Sequence, residues 1–262
     1  MRRLLHAIFN EPIPLDVCVQ IREHGFDGVR IDAQQIETVE AMAAVLVPVL
    51  AADLWPLVIV SDGRTCAWLP RGTAIELRNE PDLEGPDPVR YRQLLLGMRE
   101  IEAHFGLELW APAISNLVDR GFHYLRAIRD DLPDRVSIHW YPHRPWLPTQ
   151  GHEGRTREEE VALLRQIIGD RVFGVSEVGY HTAPVCAGWW VFRRCRRITD
   201  AYAAQAIDAE YDFWEAQGAQ FVTRYQLNDG PTDTPLDRYG LRTVDGHWKP
   251  HDDGPAVQLT KG

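Results

Sequence analysis

The chain has 262 residues, 45% hydrophobic and 25% charged, with a formal net charge of −10, an ordinary globular composition at a length that suits one (β/α)8 barrel, so residues 1–262 are read as a single domain. The acidic balance disfavours nucleic acid as a partner, because that binding depends on basic side chains neutralising phosphates, and no apolar stretch approaches the roughly 20 residues that cross a bilayer. Lys249 and Lys261 are the only lysines and neither ends a predicted strand, which excludes a Schiff-base lysine on the scaffold; Gly-Lys-Ser/Thr is absent, which excludes a Walker-type phosphate loop.

Met1 to Phe9 lacks a long apolar core and a small-residue cleavage site, so this segment reads as a first strand, at 4–9. The cytoplasm is the expected location, or a secreted protein whose leader is absent. Further strand-like runs follow at 27–32, 56–60, 73–78, 107–111, 135–140, 171–177 and 219–225. Several are nearly continuous apolar runs, as expected of parallel strands covered by helices. Helical patterns fill most gaps, at 15–24, 35–52, 88–105, 117–131, 157–168 and 197–217. Such alternation predicts a parallel α/β fold with eight strands, a (β/α)8 barrel. Between Val60 and Thr73 the run SDGRTCAWLPRG is too short and too rich in turn formers for a full helix, so the third crossover is reduced. After the last strand the tail leaves room for only a short closing helix, and the barrel is read as trimmed. Cys18, Cys66, Cys186 and Cys195 form neither a CxxC pair nor a zinc spacing, so buried thiols are expected, with no metal and no cofactor.

Two predicted strands end in glutamates. The fourth runs Thr73-Ala-Ile-Glu-Leu-Arg78 into Asn79-Glu80-Pro81, and the seventh runs Arg171-Val-Phe-Gly-Val-Ser-Glu177. Hydrolysing an acetal requires one carboxyl group to protonate the leaving oxygen and a second to attack or stabilise the sugar carbon, so paired acids match glycoside cleavage. Order and spacing carry the inference; Asn-Glu-Pro alone is an ordinary turn tripeptide.

These residues resemble clan A of the glycoside hydrolases, with family 5 or family 39 as the nearest relatives, over most of the chain. In that clan an Asn-Glu pair closes strand four and a Glu closes strand seven. The resemblance implies Glu80 as general acid/base, Glu177 as nucleophile, and Asn79 as the partner of the sugar 2-hydroxyl. Arg30 in GVRID, and His139 with Tyr141 in SIHWYPH, resemble the surroundings of the family 5 nucleophile. RYGLRTVDGHWKP, residues 238–250, resembles a structural segment that follows strand eight. One position departs: family 5 usually closes strand eight with a Trp under the reactive sugar, and here VTRYQLND offers Tyr225.

The expectation is a metal-independent retaining β-glycosidase acting on a β-linked oligo- or polysaccharide by double displacement. Its partner is a carbohydrate substrate, and its oligomeric state is left open. Arg30 and Tyr141 are expected to assist Glu177, and His139 to position its neighbours. Trp68, Trp140, Trp146, Trp189 and Trp190 lie near or after strand ends and are candidates for stacking on sugars, one or two of them at most. The run Phe192-Arg-Arg-Cys-Arg-Arg197, placed at a helix start, is read as solvated surface, with an acidic-sugar site as the sharper alternative. Two competing readings stand beside the glycosidase: an inactive glycan-binding barrel, suggested by the reduced third crossover and the absent Trp, and a metal-dependent barrel hydrolase, which His6 without a His-x-His pair argues against.

Overall fold

The computed structural model describes residues 1–7, 12–83, 85–142, 146, 150–187, 194–229, 239–243, 245, 247–249 and 257–261. The barrel strands are β1 (Arg2–Ala7), β2 (Gly28–Asp32), β3 (Trp55–Val60), β4 (Ala74–Leu77), β5 (Glu108–Trp110), β6 (Arg135–Trp140), β7 (Val172–Val178) and β10 (Phe221–Arg224). They form one sheet of eight parallel strands in the order β5-β4-β3-β2-β1-β10-β7-β6. The ends of that order meet just beyond β5: Ala111 N–H donates to the Arg135 carbonyl at 3.2 Å, His139 N–H donates to the Ile114 carbonyl at 2.8 Å, and Ile114 bridges Ile138 in parallel. The fold is a (β/α)8 barrel.

Helices α1 (Leu15–Glu23), α2 (Val39–Ala51), α3 (Pro88–Phe105), α4 (Asp119–Ala127), α5 (Arg157–Ile168) and α6 (Asp200–Ala216) cover the outside. The third crossover holds only a 3-10 turn, Thr65–Trp68, as its turn-forming sequence predicts. Several helix starts are set by side-chain caps that sequence periodicity alone does not locate. Thr38 accepts the Ala41 N–H at 3.2 Å and starts α2 later than the apolar pattern, and Thr199 accepts the Tyr202 N–H at 3.1 Å and starts α6. Thr156 and Glu159 cap α5 reciprocally.

Two expectations are corrected. The arginine-rich run does not open a helix: β9 (Arg194–Ile198) pairs antiparallel with β8 (Val185–Ala187) on one side and with β11 (Val257–Lys261) on the other. Residues 257–261, expected within a short closing helix, therefore form the edge of a second, three-stranded sheet. Their sequence Val-Gln-Leu-Thr-Lys alternates apolar and polar residues with period two, a strand pattern that the tail position disguised. Residues 192 and 193 of the run lie outside the described residues.

Side-chain alternation sorts each strand into an outward and an inward face. Outward residues such as Leu5, Val29, Ile31, Val58, Ile75 and Val222 are buried against the helices in the main core. Inward residues at the N-terminal end, Leu4, Leu57, Ala74, Trp110 and Phe221, form a separate apolar layer in which the Trp110 and Phe221 rings meet edge to face at 4.7 Å. A Cβ on Gly174 would stand 2.4 Å from the Phe221 ring, so β7 needs glycine there. Two residues further along several strands the inward side chains turn polar: His6 after Leu4, and Glu76 after Ala74.

Outside the barrel, α5 and α6 share a buried polar contact. Arg157 donates from Nη1 to Glu210 Oε1 at 2.8 Å, and the Tyr180 hydroxyl donates to the same oxygen at 2.7 Å. Burial pushes the Glu210 carboxyl up to about 7, with Arg157 and the hydrogen bonds opposing it. Between the ordinary glutamate value of about 4.3 and that raised value, the folded protein binds more protons than the unfolded chain, so Glu210 makes stability fall as pH rises. Chemical unfolding at pH 5 and pH 7.5 is expected to show Glu210→Gln gaining stability relative to wild type by roughly 1–3 kcal/mol between the two; parallel behaviour of the two proteins would contradict this account.

Candidate active site

Arg30 occupies the centre of the polar layer. Its inward position on β2 places the guanidinium inside the barrel at 0% exposure, and each face of the fork meets an acceptor. Nε donates to Glu76 Oε1 at 2.9 Å and Nη2 donates to the same oxygen. Nη1 donates to Glu177 Oε1 at 2.5 Å, and Nη2 donates to Asn79 Oδ1 at 2.8 Å. The remaining Nη1 proton reaches His6 Nδ1 at 2.9 Å. That nitrogen also stands 3.3 Å from Glu177 Oε1. A guanidinium only donates, so Nδ1 is the acceptor and the ring proton sits on Nε2. Burial and the neighbouring Arg30 charge hold His6 below the usual histidine value, which keeps it neutral.

Glu177 ends the inward face of β7 and is 4% exposed. Besides Arg30, the Tyr141 hydroxyl donates to its Oε2 at 2.5 Å and His139 Nδ1 lies 3.5 Å from the same oxygen. Burial opposes ionisation of this carboxyl, but the charges of His139 and Arg30 outweigh it and hold Glu177 well below the usual carboxylate range. Burial and the Glu177 charge push the Tyr141 phenol well up, so it stays a donor.

Glu80 follows β4 by one short step. The Asn79–Ala113 bridge and the Glu80 N–H to Ala113 carbonyl bond at 3.0 Å fix this segment against the residues after β5. Arg78 at φ 61° and Glu80 at φ 46° both lie in the left-handed region, which non-glycine residues adopt only when their surroundings hold them there. His139 Nδ1 is 3.1 Å from Glu80 Oε1, and His139 Nε2 is 3.4 Å from Arg30 Nη2. One imidazole thus touches both glutamates. A carboxylate oxygen of Glu80, His139 Nδ1 and a carboxylate oxygen of Glu177 all lie within 4.8 Å of one another.

Above the pair is a cavity of about 310 Å³ lined by His6, Asp32, Ile59, Asn79, Glu80, Tyr141, Glu177, Tyr225 and Tyr239. Tyr141, Tyr225 and Tyr239 meet edge to face at centroid distances of 5.5 to 6.3 Å. Tyr225, joined to Gln226 by a cis peptide bond, also meets the His6 ring edge at 5.0 Å. Asn116 braces Tyr141 through the backbone, accepting its N–H and donating to its carbonyl, both at 3.3 Å.

All seven residues singled out from the sequence, Arg30, Asn79, Glu80, His139, Tyr141, Glu177 and Tyr225, therefore gather at one end of the barrel. Four others there were not singled out. Glu76 and Asp32 carried a readable signal, since both stand on inward strand faces close to named site residues, Asp32 two residues after Arg30 and Glu76 four before Glu80. His6 is the inward residue at the end of β1. Tyr239 sits in the segment after strand eight, which sequence reading assigned to structure, and it lines the cavity instead.

The tryptophans divide differently. Trp140 is wholly buried on the outward face of β6, where its Nε1 donates to Glu160 Oε2 at 3.0 Å and its ring meets Trp214, so it has no face for a sugar. Trp68 and Trp146 are partly buried against the core, and Trp146 lies 5.8 Å from the Arg196 guanidinium. Trp189 and Trp190 lie outside the described residues.

No family model matches the chain, and no curated protein matches it. Solved structures do match in fold. The glycoside hydrolase family 17 β-1,3-glucanosyltransferase of Rhizomucor miehei aligns with a TM-score of 0.67 at 10% identity, covering 95% of each chain. The family 128 endo-β-1,3-glucanase of Sorangium cellulosum aligns at 0.62 and 13% identity, again covering 95% of each. A family 5 broad-specificity endoglucanase from Clostridium longisporum aligns at 0.60 and 13% identity, covering 91% of this chain and 83% of its own. At such identities the likeness is one of fold, and the fold is the (β/α)8 barrel shared by these glycoside hydrolases.

Proposed function

We propose that the protein is a retaining β-glycosidase acting on a β-linked glycan, with Glu80 as general acid/base and Glu177 as nucleophile. The observation that carries this reading is the approach of the two carboxylates to within 4.8 Å around one imidazole, at the floor of a cavity. Double displacement uses carboxyl groups about 5–5.5 Å apart, whereas inversion needs 6.5–9.5 Å to admit a water. The neighbours in fold support a glycan substrate: they include a β-1,3-glucanosyltransferase, also in complex with laminaritriose, an endo-β-1,3-glucanase and a broad-specificity endoglucanase.

In the first step Glu80 protonates the glycosidic oxygen while ionised Glu177 attacks the sugar carbon, giving a glycosyl-enzyme and releasing the aglycone. In the second, Glu80 takes a proton from water, which displaces Glu177 and returns the starting protonation states. Arg30 and the Tyr141 hydroxyl keep Glu177 ionised and aimed. His139, wholly buried, positions both carboxylates. Asn79, its oxygen occupied by Arg30, offers its amide N–H groups to the sugar 2-hydroxyl. Tyr225 and Tyr239 give the sugar a ring-edged wall in place of a single Trp floor.

Glu80, His139 and Glu177 also have the spacing of a cation site, but Arg30 already supplies a full positive charge to Glu177, which favours the metal-independent reading. Hydrolysis of chromogenic β-glycosides or laminaritriose is expected to persist in excess chelator and to fall to background in Glu177→Gln. Glu80→Ala should lower kcat by about 10²–10⁴-fold on poor leaving groups, and less on activated aryl glycosides, with azide restoring turnover. Full activity in Glu177→Gln, or chelator-sensitive activity in wild type, would defeat this assignment.

The depressed Glu177 value sets the sign of the pH dependence. Ionised Glu177 contributes both activity and stability above the ordinary carboxylate value of about 4.3, and both are lost only as pH falls through its lower folded value. Arg30→Lys keeps the charge but not the fork, and Arg30→Met removes both. The acid limb of kcat/KM is expected to move to higher pH in Arg30→Met, because burial then acts on Glu177 without the opposing Arg30 charge, with unfolding stability reduced by about 3–5 kcal/mol because Glu76 and Glu177 are left buried without their partner. An unmoved acid limb in a folded variant would contradict the role given to Arg30.

A further inference from the structure

The cavity above the glutamate pair is lined by one further carboxylate, Asp32, that the acid/base mechanism does not require. Three of its lining residues are carboxylates, Asp32, Glu80 and Glu177, and no lysine or arginine lines it among the described residues. Arg30 is beneath, wholly buried and committed to Glu76, Glu177, Asn79 and His6. An anionic sugar entering this space meets negative charge with nothing to pair it. A neutral sugar brings hydroxyl donors, which carboxylates bind well.

Asp32 is placed to use them. It follows Arg30 on the same inward face of β2, two residues closer to the mouth, and so about 6–7 Å above the guanidinium. Its register partner on β3 is Ile59, which lines the cavity beside it. The Gln34 N–H donates to Asp32 Oδ1 at 3.0 Å and fixes the carboxylate; no other donor reaches it among the described residues. On the neighbouring strand His6, 4% exposed, lines the same cavity, and its Nε2 has no partner. Asp32 thus brings a fixed acceptor to the cavity in which Glu177 stands, with His6 of the neighbouring strand lining the same space.

We propose that Asp32 is a sugar-binding carboxylate that accepts hydrogen bonds from ring hydroxyls of a neutral glycan and discriminates against uronates at the same position. This rests on the glycosidase reading and names its substrate class.

The test measures binding, so that it is separate from turnover. A β-linked glucose tetrasaccharide and the matching glucuronate tetrasaccharide are titrated calorimetrically into a Glu80→Gln parent and into the same protein carrying Asp32→Asn or Asp32→Ala. The neutral glycan is expected to bind the parent more tightly than the glucuronate does, and to lose about tenfold or more in affinity in both Asp32 variants. Asp32→Asn should narrow the preference over the glucuronate. Thermal unfolding of the variants should match the parent, since Asp32 is only partly buried. Equal affinity for the neutral glycan in parent and variants, preference for the glucuronate, or no binding to the parent would each overturn the proposal. Loss of the hydrolase reading is read independently, from absent turnover by the unmodified protein.

Discussion

The buried guanidinium of Arg30 is the interaction on which the rest of the site depends. A charge of this kind inside a protein is costly unless it is paired and every donor is used. Here its donors go to Glu76, Glu177, Asn79 and His6, and these residues come from β4, β7, the end of β4 and β1. The barrel makes such convergence possible because inward side chains at one height on different strands share a layer. The apolar layer below, with Trp110 and Phe221, fills that end of the interior, so the polar layer is held from beneath and opens toward the cavity.

That arrangement makes the two glutamates unlike. Glu177 has a side chain 6% exposed and receives Arg30 and Tyr141, whereas Glu80 has a side chain 26% exposed and touches one imidazole. A nucleophile needs to remain an anion, and a proton donor needs access to the leaving oxygen and to water. The environments match those separate needs. His139 couples the pair mechanically, since its Nδ1 faces both carboxylates while its Nε2 faces the cation that polarises the site.

The eight barrel strands and the reduced third crossover were legible because parallel strands covered on one side by helices are written as short apolar runs, and because a turn-rich segment of a dozen residues has no room for a helix. The second sheet was hidden. Its β9 carries Arg194, Arg196 and Arg197, which mask the strand period, and β11 pairs with it across a long stretch of sequence that local pattern does not report. The gathering of Arg30, Glu80 and Glu177 could be anticipated from strand ends, which meet at one face of a barrel. Tyr239 could not, because it arrives from a segment after the last barrel strand, and Trp140 was misjudged because one step along a strand reverses the face its side chain occupies.

The account stands most directly on the stereochemistry of the first product. Proton NMR of a β-glycoside digest, recorded before mutarotation, reports the anomer released. Double displacement through Glu177 predicts that the β-anomer accumulates first. Initial release of the α-anomer would mean that water attacks the sugar directly, and the roles assigned to the Glu80–Glu177 pair would be wrong.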